Sequence, residues 1–242
     1  MNPMVIEHVD VGYRSANGSK ILVADICASL MPASLVALVG RNGTGKSTLL
    51  RTLAGFLPPL AGTISMGQGM GQGIVFTTSK KVQPHTLAKL VSVVLTNRPA
   101  LSNLRVEEVV ALGRSPYTNF WGTLTSADQN IVSEAMRLVG ICNLKDRQMQ
   151  ALSDGEQQKV FLAKALAQQT PVILLDEPTA FLDYQSKKEV MHLLSQLAHN
   201  EGKSILLSTH DIQQAIAVAD NIWYIEEGIL FTNAKEKVKS LI

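Results

Sequence analysis

The sequence predicts an α/β fold with a mostly parallel core sheet, an antiparallel β subdomain near the N-terminus and a helical insert. Three observations support this prediction. A glycine-rich loop at residues 40–48 joins an apolar strand to a helix. Further apolar runs that end in polar or acidic side chains alternate with helical patterns, which is typical of parallel sheets. Between two of these runs, from Val106 onward, apolar residues recur at helical spacing.

The loop at residues 40–48 reads G-R-N-G-T-G-K-S-T and fits the phosphate-binding pattern G-x-x-x-x-G-K-[ST]. Gly40, Gly43 and Gly45 let the backbone turn tightly, so that several N–H groups can point at one anion. The helix that follows adds the partial positive charge of its N-terminus. The sequence therefore predicts a P-loop nucleotide site, in which Lys46 contacts the β- and γ-phosphates and the Ser47 hydroxyl binds Mg²⁺. The loop residues that complete the predicted nucleotide-binding set are Arg41, Asn42, Thr44 and Thr48.

Polar side chains that follow two later strands are predicted to lie beside this loop. The apolar run 172–175 leads into Asp176 and Glu177, and the run 204–209 leads into His210. Ligands of parallel sheets bind at the carboxyl ends of the strands, so the paired acids predict a functional site, whereas a lone histidine there is most often structural. Tyr13 ends a strand upstream of the loop, where its ring either packs or stacks on an adenine.

Composition and charge exclude several classes of protein. The 242 residues are 46% hydrophobic, which is enough for one large globular domain. A net charge of +2 is too small to indicate nucleic-acid binding. The sequence has neither a signal-peptide pattern nor an apolar run of the roughly 20 residues that a membrane span needs, so we expect a soluble cytoplasmic protein. Cys27 and Cys142 lie far apart and indicate two buried thiols, not a disulfide or a zinc site.

The predicted elements form a single nucleotide-binding domain over residues 1–242. We assign about 1–96 and 151–242 to the core with its antiparallel subdomain, and about 97–150 to a helical subdomain. Within this insert, Ser126 is predicted to cap a helix whose inner face includes Ile131, Ala135 and Met136. Another helix opens at the sequence L-S-D-G-E of residues 152–156.

The order of these motifs resembles that of the nucleotide-binding subunit of an ABC transporter, over nearly the whole chain. After the phosphate loop, L-S-D-G-E at residues 152–156 resembles the ABC signature, and the strand ending in Asp176 and Glu177 resembles the Walker B strand. Residues 181–183 resemble the D-loop, and His210 the switch histidine. More narrowly, the run V-V-A-L-G-R-S-P-Y at 109–117, with Gly122 after it, is similar to importers of iron siderophores, haem and cobalamin.

The resemblance implies an ATP-hydrolysing enzyme that uses ATP and Mg²⁺. It implies that Lys46 and the loop amides bind the phosphates, and that Ser47 and Asp176 bind Mg²⁺. It also implies that Glu177 activates the attacking water and that His210 contacts the γ-phosphate. Tyr13 falls where the family stacks adenine. Catalysis in such a site consists mostly of positioning and charge stabilisation, as expected for phosphoryl transfer.

The same resemblance implies several partners but no nucleic acid. Two copies would meet head to tail, with Ser153 and Gly155 touching the γ-phosphate bound by the other copy and Asp183 crossing the interface. The helical insert would receive the coupling helix of an integral membrane permease, which in turn meets an extracytoplasmic substrate-binding protein. The chain would then lie at the cytoplasmic face of the inner or plasma membrane, attached through the permease.

Two departures from the family pattern concern the site. Thr96 and Asn97 stand where the family usually has a glutamine, and the signature has Asp154 and Glu156 where Gly and Gln are usual. A like-charge pair 4 Å apart costs about 1 kcal/mol in bulk water and about 4 kcal/mol at an effective dielectric of 20. Because the extra carboxylates repel a γ-phosphate, we expect nucleotide-driven dimerisation of the isolated subunit to be weak.

Three other functions stay open beside import of a metal chelate. A non-transport ABC ATPase acting on nucleic acid or ribosomes is disfavoured by the single cassette and the small net charge. A phosphate-loop kinase is disfavoured because Glu177 directly after Asp176 suits activation of water. A nucleotide-gated regulator with weak hydrolysis is disfavoured by Glu177 and His210, although the missing glutamine keeps it open.

Overall fold

The protein is described by a computed structural model over residues 2–15, 18–67, 73–79, 82–96, 101 and 103–240. The strands in this part of the chain are β1 Met4–Ser15, β2 Gly18–Leu30, β3 Leu35–Gly40, β4 Ala61–Met66, β5 Ile74–Thr77, β6 Val91–Val94, β7 Val172–Asp176, β8 Ser204–Ser208, β9 Asn221–Glu226 and β10 Ile229–Phe231. They form a four-stranded sheet in the order β2-β1-β4-β5 and a six-stranded sheet in the order β10-β9-β3-β8-β7-β6.

The six-stranded sheet is parallel except at one edge. Strands β9, β3, β8, β7 and β6 run parallel, and only β10 is antiparallel to its neighbour. The four-stranded sheet is antiparallel throughout. The predicted α/β class, with a mostly parallel core and an N-terminal antiparallel sheet, is therefore confirmed.

Both faces of the parallel sheet are buried, which explains the continuous apolar runs. On β3, Val36 and Leu38 lie in a cluster with the antiparallel sheet, whereas Leu35, Ala37 and Val39 lie in a second cluster with the helices on the other side. Side chains alternate between the two faces of a strand, so a strand covered on both sides needs apolar residues at every position.

The helices are α1 Lys46–Leu53, α2 Pro84–Leu87, α3 Val106–Ala111, α4 Ser126–Leu138, α5 Asp154–Ala167, α6 Tyr184–Asn200, α7 Ile212–Val218 and α8 Lys235–Lys239. Helices α3 and α4 lie within the residues predicted to form the helical subdomain, and both pack against α5. The proposed subdomain boundary at residue 97 falls outside the described residues and stays a prediction. None of the helices in the described part of the chain is long and apolar enough to cross a membrane.

The predicted cap of α4 is wrong by one residue. Thr125, not Ser126, is the N-cap: its hydroxyl accepts the Asp128 N–H, and the Asp128 carboxylate accepts the Thr125 N–H at 3.0 Å. Thr125 has extended backbone angles, whereas Ser126 is already helical. A serine and a threonine at neighbouring positions are equally good caps by type, so only the backbone angles distinguish them.

The prediction of buried thiols is also wrong. Cys27 and Cys142 are both free and exposed. Cys27 lies on β2, an edge strand, where its neighbour Ile26 points into the core and Cys27 therefore points outward. Cys142 begins a short 3₁₀ turn after α4.

The run at residues 109–117 has a packing role in the helical insert. Arg114 is buried and pairs with Asp128 of α4 at 2.9 Å, while a second nitrogen donates to the Ala167 carbonyl at the end of α5. Its guanidinium also lies 4.1 Å from the centre of the Tyr117 ring. Gly113 packs so closely against the Lys164 carbonyl that a Cβ there would collide with it. This glycine and arginine therefore join the helices of the insert to α5.

Candidate functional site

The glycine-rich loop connects the end of β3 to the start of α1. Gly40, Gly43 and Gly45 have φ angles of +156°, +82° and +104°, a region that side chains disfavour. A Cβ at Gly40 would lie 2.8 Å from the Ile225 carbonyl oxygen, and one at Gly45 would lie 3.1 Å from Val23 Cγ2. None of the described side chains caps the N-terminus of α1, so its first amides remain directed at the loop.

Lys46 lies in the mouth of this loop. Its ammonium donates to the carbonyl oxygens of Gly40 at 2.7 Å and of Arg41 at 3.0 Å. Burial lowers the pKa of Lys46, and the negative charges of Glu177 and Asp176 oppose that shift. The lysine is thus placed between the loop backbone and the two acids, where a phosphate would meet it.

The acid that ends β7 is joined to the loop helix by a hydrogen bond. The Ser47 hydroxyl donates to Asp176 Oδ1 at 2.9 Å. An octahedral Mg²⁺ with ligands at 2.0–2.1 Å has neighbouring ligand oxygens about 2.9 Å apart. A hydroxyl and a carboxylate oxygen at this spacing are hard oxygen donors that fit Mg²⁺.

Glu177 and His210 meet at the carboxyl edge of the sheet. His210 Nδ1 lies 2.8 Å from Glu177 Oε2, and the Glu177 side chain is 16% exposed while that of His210 is 58% exposed. Glu177 has a left-handed φ of +50° directly after β7, which turns the chain out of the strand. The pair therefore presents a carboxylate held by an imidazole, with the imidazole open to solvent.

The remaining predicted site residues near the loop have two kinds of surroundings. The Tyr13 hydroxyl and Thr48 Oγ1 are 3.0 Å apart, and the tyrosine is 46% exposed. Arg41, Asn42 and Thr44 line a cleft of about 640 Å³, which His210 also lines. The loop is thus bordered by an exposed aromatic residue and by an open cleft.

Three predicted site residues form a separate group at the N-termini of α5 and α6. Ser153 caps α5, and Asp183 caps α6 by accepting the Gln185 and Ser186 N–H groups. These backbone and hydroxyl donors, chiefly those of Ser186, lower the pKa of Asp183. A Cβ at Gly155 would lie 3.3 Å from Ser186 Oγ, so the two helix starts are adjacent. Among the described residues we find no hydrogen bond or ion pair that joins this group to the phosphate loop.

The sequence of this chain matches a known family over most of the regions just described. A family model described as ABC transporter matches residues 23–180, more than half of the chain. The chain belongs to the ABC transporter family. As a member of that family, it binds and hydrolyses ATP.

Individual relatives of this ABC protein are similar over most of their length. An uncharacterised ABC transporter ATP-binding protein of Methanocaldococcus jannaschii is 38% identical over 91% of this chain and 72% of its own length. The iron(3+)-hydroxamate import ATP-binding protein FhuC of Bacillus subtilis is 32% identical over 94% of this chain and 80% of its own. The manganese transport system ATP-binding protein MntA of Synechocystis is 33% identical over 96% and 84%.

Solved ABC cassettes share the fold. The structure of cbiO1 from Clostridium perfringens has a TM-score of 0.81 at 26% identity, covering 99% of this chain and 91% of that one. A dimeric post-hydrolysis cassette bound to ADP and Pi has a TM-score of 0.77 at 24% identity, covering 94% and 96%. At that identity the second likeness shows the fold alone.

Both departures of this ABC ATPase from the family pattern have a local structural role. The Thr96 hydroxyl donates to the Asp176 carbonyl at 2.7 Å and so braces the end of β7; Asn97 lies outside the described residues. Glu156 accepts hydrogen bonds from the Ser153 N–H and hydroxyl, both at 2.9 Å, and these donors lower its pKa. Glu156 is therefore an ionised capping-box partner whose charge remains next to the signature serine.

Sequence reasoning missed Ser208, the last residue of β8. Its hydroxyl donates to Asp176 Oδ1 at 2.8 Å and accepts the Glu177 N–H at 2.9 Å. Ser208 is fully buried and lies opposite Asp176 in the register of β7 and β8. The available signal was a hydroxyl residue at the end of an apolar parallel strand, two positions before His210.

Proposed function

We propose that this chain hydrolyses ATP to power an importer of a metal chelate, with an iron siderophore, haem or cobalamin as the substrate class. The observation that carries the ATPase site is the meeting of Lys46, the Ser47–Asp176 pair and the Glu177–His210 pair at one edge of the sheet. The five side chains come from three segments, the start of α1, the end of β7 and the loop after β8, and they converge beside one glycine-rich loop.

Each of these side chains has a role that its position supports. The loop amides and Lys46 bind the phosphates of ATP. Glu177 polarises the attacking water, because it is a largely buried carboxylate beside the loop. His210 holds Glu177 on one side and, with its exposed face, contacts the γ-phosphate. Tyr13 stacks on the adenine, since its ring is partly exposed at the Thr48 side of the loop.

We propose that Ser47 and Asp176 hold a Mg²⁺ ion, which would neutralise phosphate charge when bound. Their oxygen atoms have the spacing described above, and Ser208 fixes the carboxylate rotamer from behind. The chain's own contribution is to keep these two oxygens in place before the ion arrives.

A complete site requires a second copy of the chain. Ser153, Gly155 and Asp183 lie apart from the phosphate loop of their own chain. We therefore propose a head-to-tail dimer, in which Ser153 and Gly155 contact the γ-phosphate bound by the partner copy and Asp183 crosses the interface. The α5 N-terminus would add its partial positive charge to that contact.

The transport role rests on the relatives. One relative is named as an iron(3+)-hydroxamate import ATP-binding protein, which supports a chelate as the substrate. Another relative is named as a manganese transport system ATP-binding protein, so a free metal ion is the competing substrate. We propose an integral membrane permease as the direct partner and an extracytoplasmic substrate-binding protein as the indirect one, with the chain peripheral at the cytoplasmic face of the membrane.

The test of the ATPase site compares the purified wild-type chain with Glu177→Gln in Mg-ATP. We expect wild type to turn over and Glu177→Gln to lose at least about 100-fold in rate, while eluting as a dimer in size-exclusion chromatography. Glu134→Gln, which alters an exposed ion pair with Arg137 on α4, is the matched control and should behave as wild type. If Glu177→Gln hydrolyses ATP at the wild-type rate, the role given to Glu177 is wrong.

The test of the substrate class uses the chain reconstituted with its membrane permease and binding protein in vesicles. We expect ATP hydrolysis to rise with an iron siderophore, haem or cobalamin and not with free Mn²⁺. If free Mn²⁺ alone stimulates ATP hydrolysis, the substrate is the ion and the proposal of a chelate is wrong. If the isolated chain is inactive but the assembled complex turns over, assembly is needed to complete the site.

A further inference from the structure

Three metal-ligating side chains meet on the outer surface of the antiparallel sheet. His8 comes from β1, and Asp25 and Cys27 come from β2; all three are exposed. His8 Nδ1 lies 2.7 Å from Asp25 Oδ1 and 3.6 Å from Cys27 Sγ. One ligand atom from each residue lies within 4.8 Å of the other two.

Two β-bulges bring these side chains together. The register runs from Ile6 opposite Ala28 to Val9 opposite Ile26, so two residues of β1 face Cys27 alone. A second shift follows on the other strand, before Val11 pairs with Val23. In each bulge one residue is left-handed: His8 has φ +51° and Asp25 has φ +49°. Bulges redirect side chains, and here they direct the imidazole and the carboxylate toward the same thiol.

The surrounding backbone supports this geometry. The Asp10 carboxylate accepts the Asp25 N–H at 2.8 Å, which holds the second bulge. On β4, a Cβ at Gly62 would collide with the His8 carbonyl, so glycine leaves room for the first bulge. The His8 N–H donates to Cys27 Sγ at 3.4 Å, which keeps the thiol beside the bulge.

The distance between the imidazole nitrogen and the thiol sulfur matches that of a tetrahedral metal site. Zinc binds imidazole nitrogen at about 2.1 Å and thiolate sulfur at about 2.3 Å, which at the tetrahedral angle places the two ligand atoms about 3.6 Å apart. The His8 Nδ1 and Cys27 Sγ atoms are separated by 3.6 Å. The shorter His8–Asp25 distance is that of a hydrogen bond, which lengthens when a metal replaces the Nδ1 proton.

We propose that His8, Asp25 and Cys27 form a surface site for a Zn²⁺-like divalent transition metal, with a water molecule as the fourth ligand. The nitrogen, oxygen and sulfur donors suit Zn²⁺ and Co²⁺ better than Mg²⁺, which prefers oxygen alone. The site is separate from the Ser47–Asp176 pair, which joins helix α1 to the end of β7 in the six-stranded sheet. Metal binding releases the thiol proton to solvent, and the imidazole binds through Nδ1 with its remaining proton on Nε2.

The test is a Co²⁺ titration of the untagged, metal-stripped chain without nucleotide, followed by displacement with Zn²⁺. Wild type should develop a saturable thiolate-to-cobalt charge-transfer absorption at one Co²⁺ per chain, which Zn²⁺ removes. Cys27→Ser should lack that absorption, and His8→Ala and Asp25→Asn should each weaken binding at least about tenfold.

Cys142→Ser is the matched control, because Cys142 is the other exposed free thiol of the chain. It should bind Co²⁺ as wild type does. Far-UV circular dichroism and ATP turnover in the absence of added transition metal should be unchanged in the Cys27→Ser chain, since all three ligand side chains are exposed. The proposal fails if no saturable absorption forms, if it persists in Cys27→Ser, or if Cys142→Ser removes it.

Discussion

The Ser208 hydroxyl donates a hydrogen bond of 2.8 Å to the carboxylate of Asp176, its direct neighbour on the adjacent parallel strand. The Ser208 hydroxyl oxygen also accepts the backbone N–H of Glu177 at 2.9 Å. One buried hydroxyl therefore sets the orientation of the proposed metal-binding carboxylate and of the backbone that carries the proposed catalytic glutamate. Ser208 would act on the reaction only through these two groups, so it is a positioning residue.

Replacement of Ser208 by alanine should slow ATP hydrolysis more than it weakens ATP binding. The change leaves the Glu177 N–H without its acceptor and the Asp176 carboxylate without one donor, which costs about 1–3 kcal/mol of stability. We expect kcat to fall about tenfold, as a loss of about 1.4 kcal/mol in the transition state implies, with a smaller change in KM.

Steady-state kinetics and urea unfolding measure the two effects of Ser208→Ala. Ser204→Ala, at the opposite end of the same strand, is the control and should keep the wild-type kcat. A Ser208→Ala enzyme with unchanged kcat would show that Asp176 and Glu177 need no support from β8.

Thr96 should act through its hydrogen bond to the Asp176 carbonyl. Thr96→Val keeps the shape of the side chain but removes the hydroxyl, so the end of β7 loses a bond of 2.7 Å. A typical hydrogen bond contributes about 1 kcal/mol, and we expect hydrolysis to fall about fivefold. Thr96→Ser keeps the hydroxyl and should retain activity. If Thr96→Val and Thr96→Ser hydrolyse ATP at the same rate, the Thr96 hydroxyl has no role in hydrolysis.

Removal of the charge on Glu156 should strengthen ATP-driven dimerisation. Glu156→Gln keeps an oxygen that can accept the Ser153 hydrogen bonds but takes away a negative charge beside the proposed γ-phosphate contact. In the Glu177→Gln background we expect the dimer dissociation constant in Mg-ATP to fall about tenfold, within the range of like-charge repulsion.

Sedimentation equilibrium measures this dimerisation, with Glu134→Gln as the control for loss of one negative charge elsewhere. Tight ATP-dependent dimers of the wild-type chain, or no change in the dissociation constant when Glu156 is replaced, would contradict the repulsion.

The Arg114–Asp128 pair should make stability depend on acid pH. Hydrogen bonds from Thr125 and then from Arg114 lower the pKa of Asp128 from 3.8 to about 2. Because the folded chain holds this proton less tightly than the unfolded chain, the stabilisation is fully present above about pH 4. It is lost as the pH falls toward about 2.

Asp128→Asn tests this dependence by chemical denaturation between pH 2 and pH 7. The variant should be less stable than wild type at neutral pH, because the buried Arg114 loses its counter-charge. The difference between the two proteins should shrink as the pH approaches 2. A difference that stays constant with pH would mean that Asp128 does not titrate differently in the folded and unfolded states.

The sequence alone identified the phosphate loop, the acids after β7 and the histidine after β8. These features are local: glycines with left-handed φ angles, a helix that begins at a lysine and apolar strands that end in polar side chains. The same locality explains the two wrong predictions. Whether Thr125 or Ser126 caps α4 depends on the backbone angles of these two residues. Whether Cys27 points inward or outward depends on the phase of strand β2.

Pairs far apart in the chain were decided by the tertiary structure. Ser47 and Asp176 are 129 positions apart, and Ser208 faces Asp176 only because β7 and β8 pair in one register. His8 meets Cys27 because a bulge lets two residues of β1 face one residue of β2. Periodicity fixes which face of an element is buried but carries no information on which residues of two elements stand opposite each other. That choice is made by the packing of the sheets and helices around a common core.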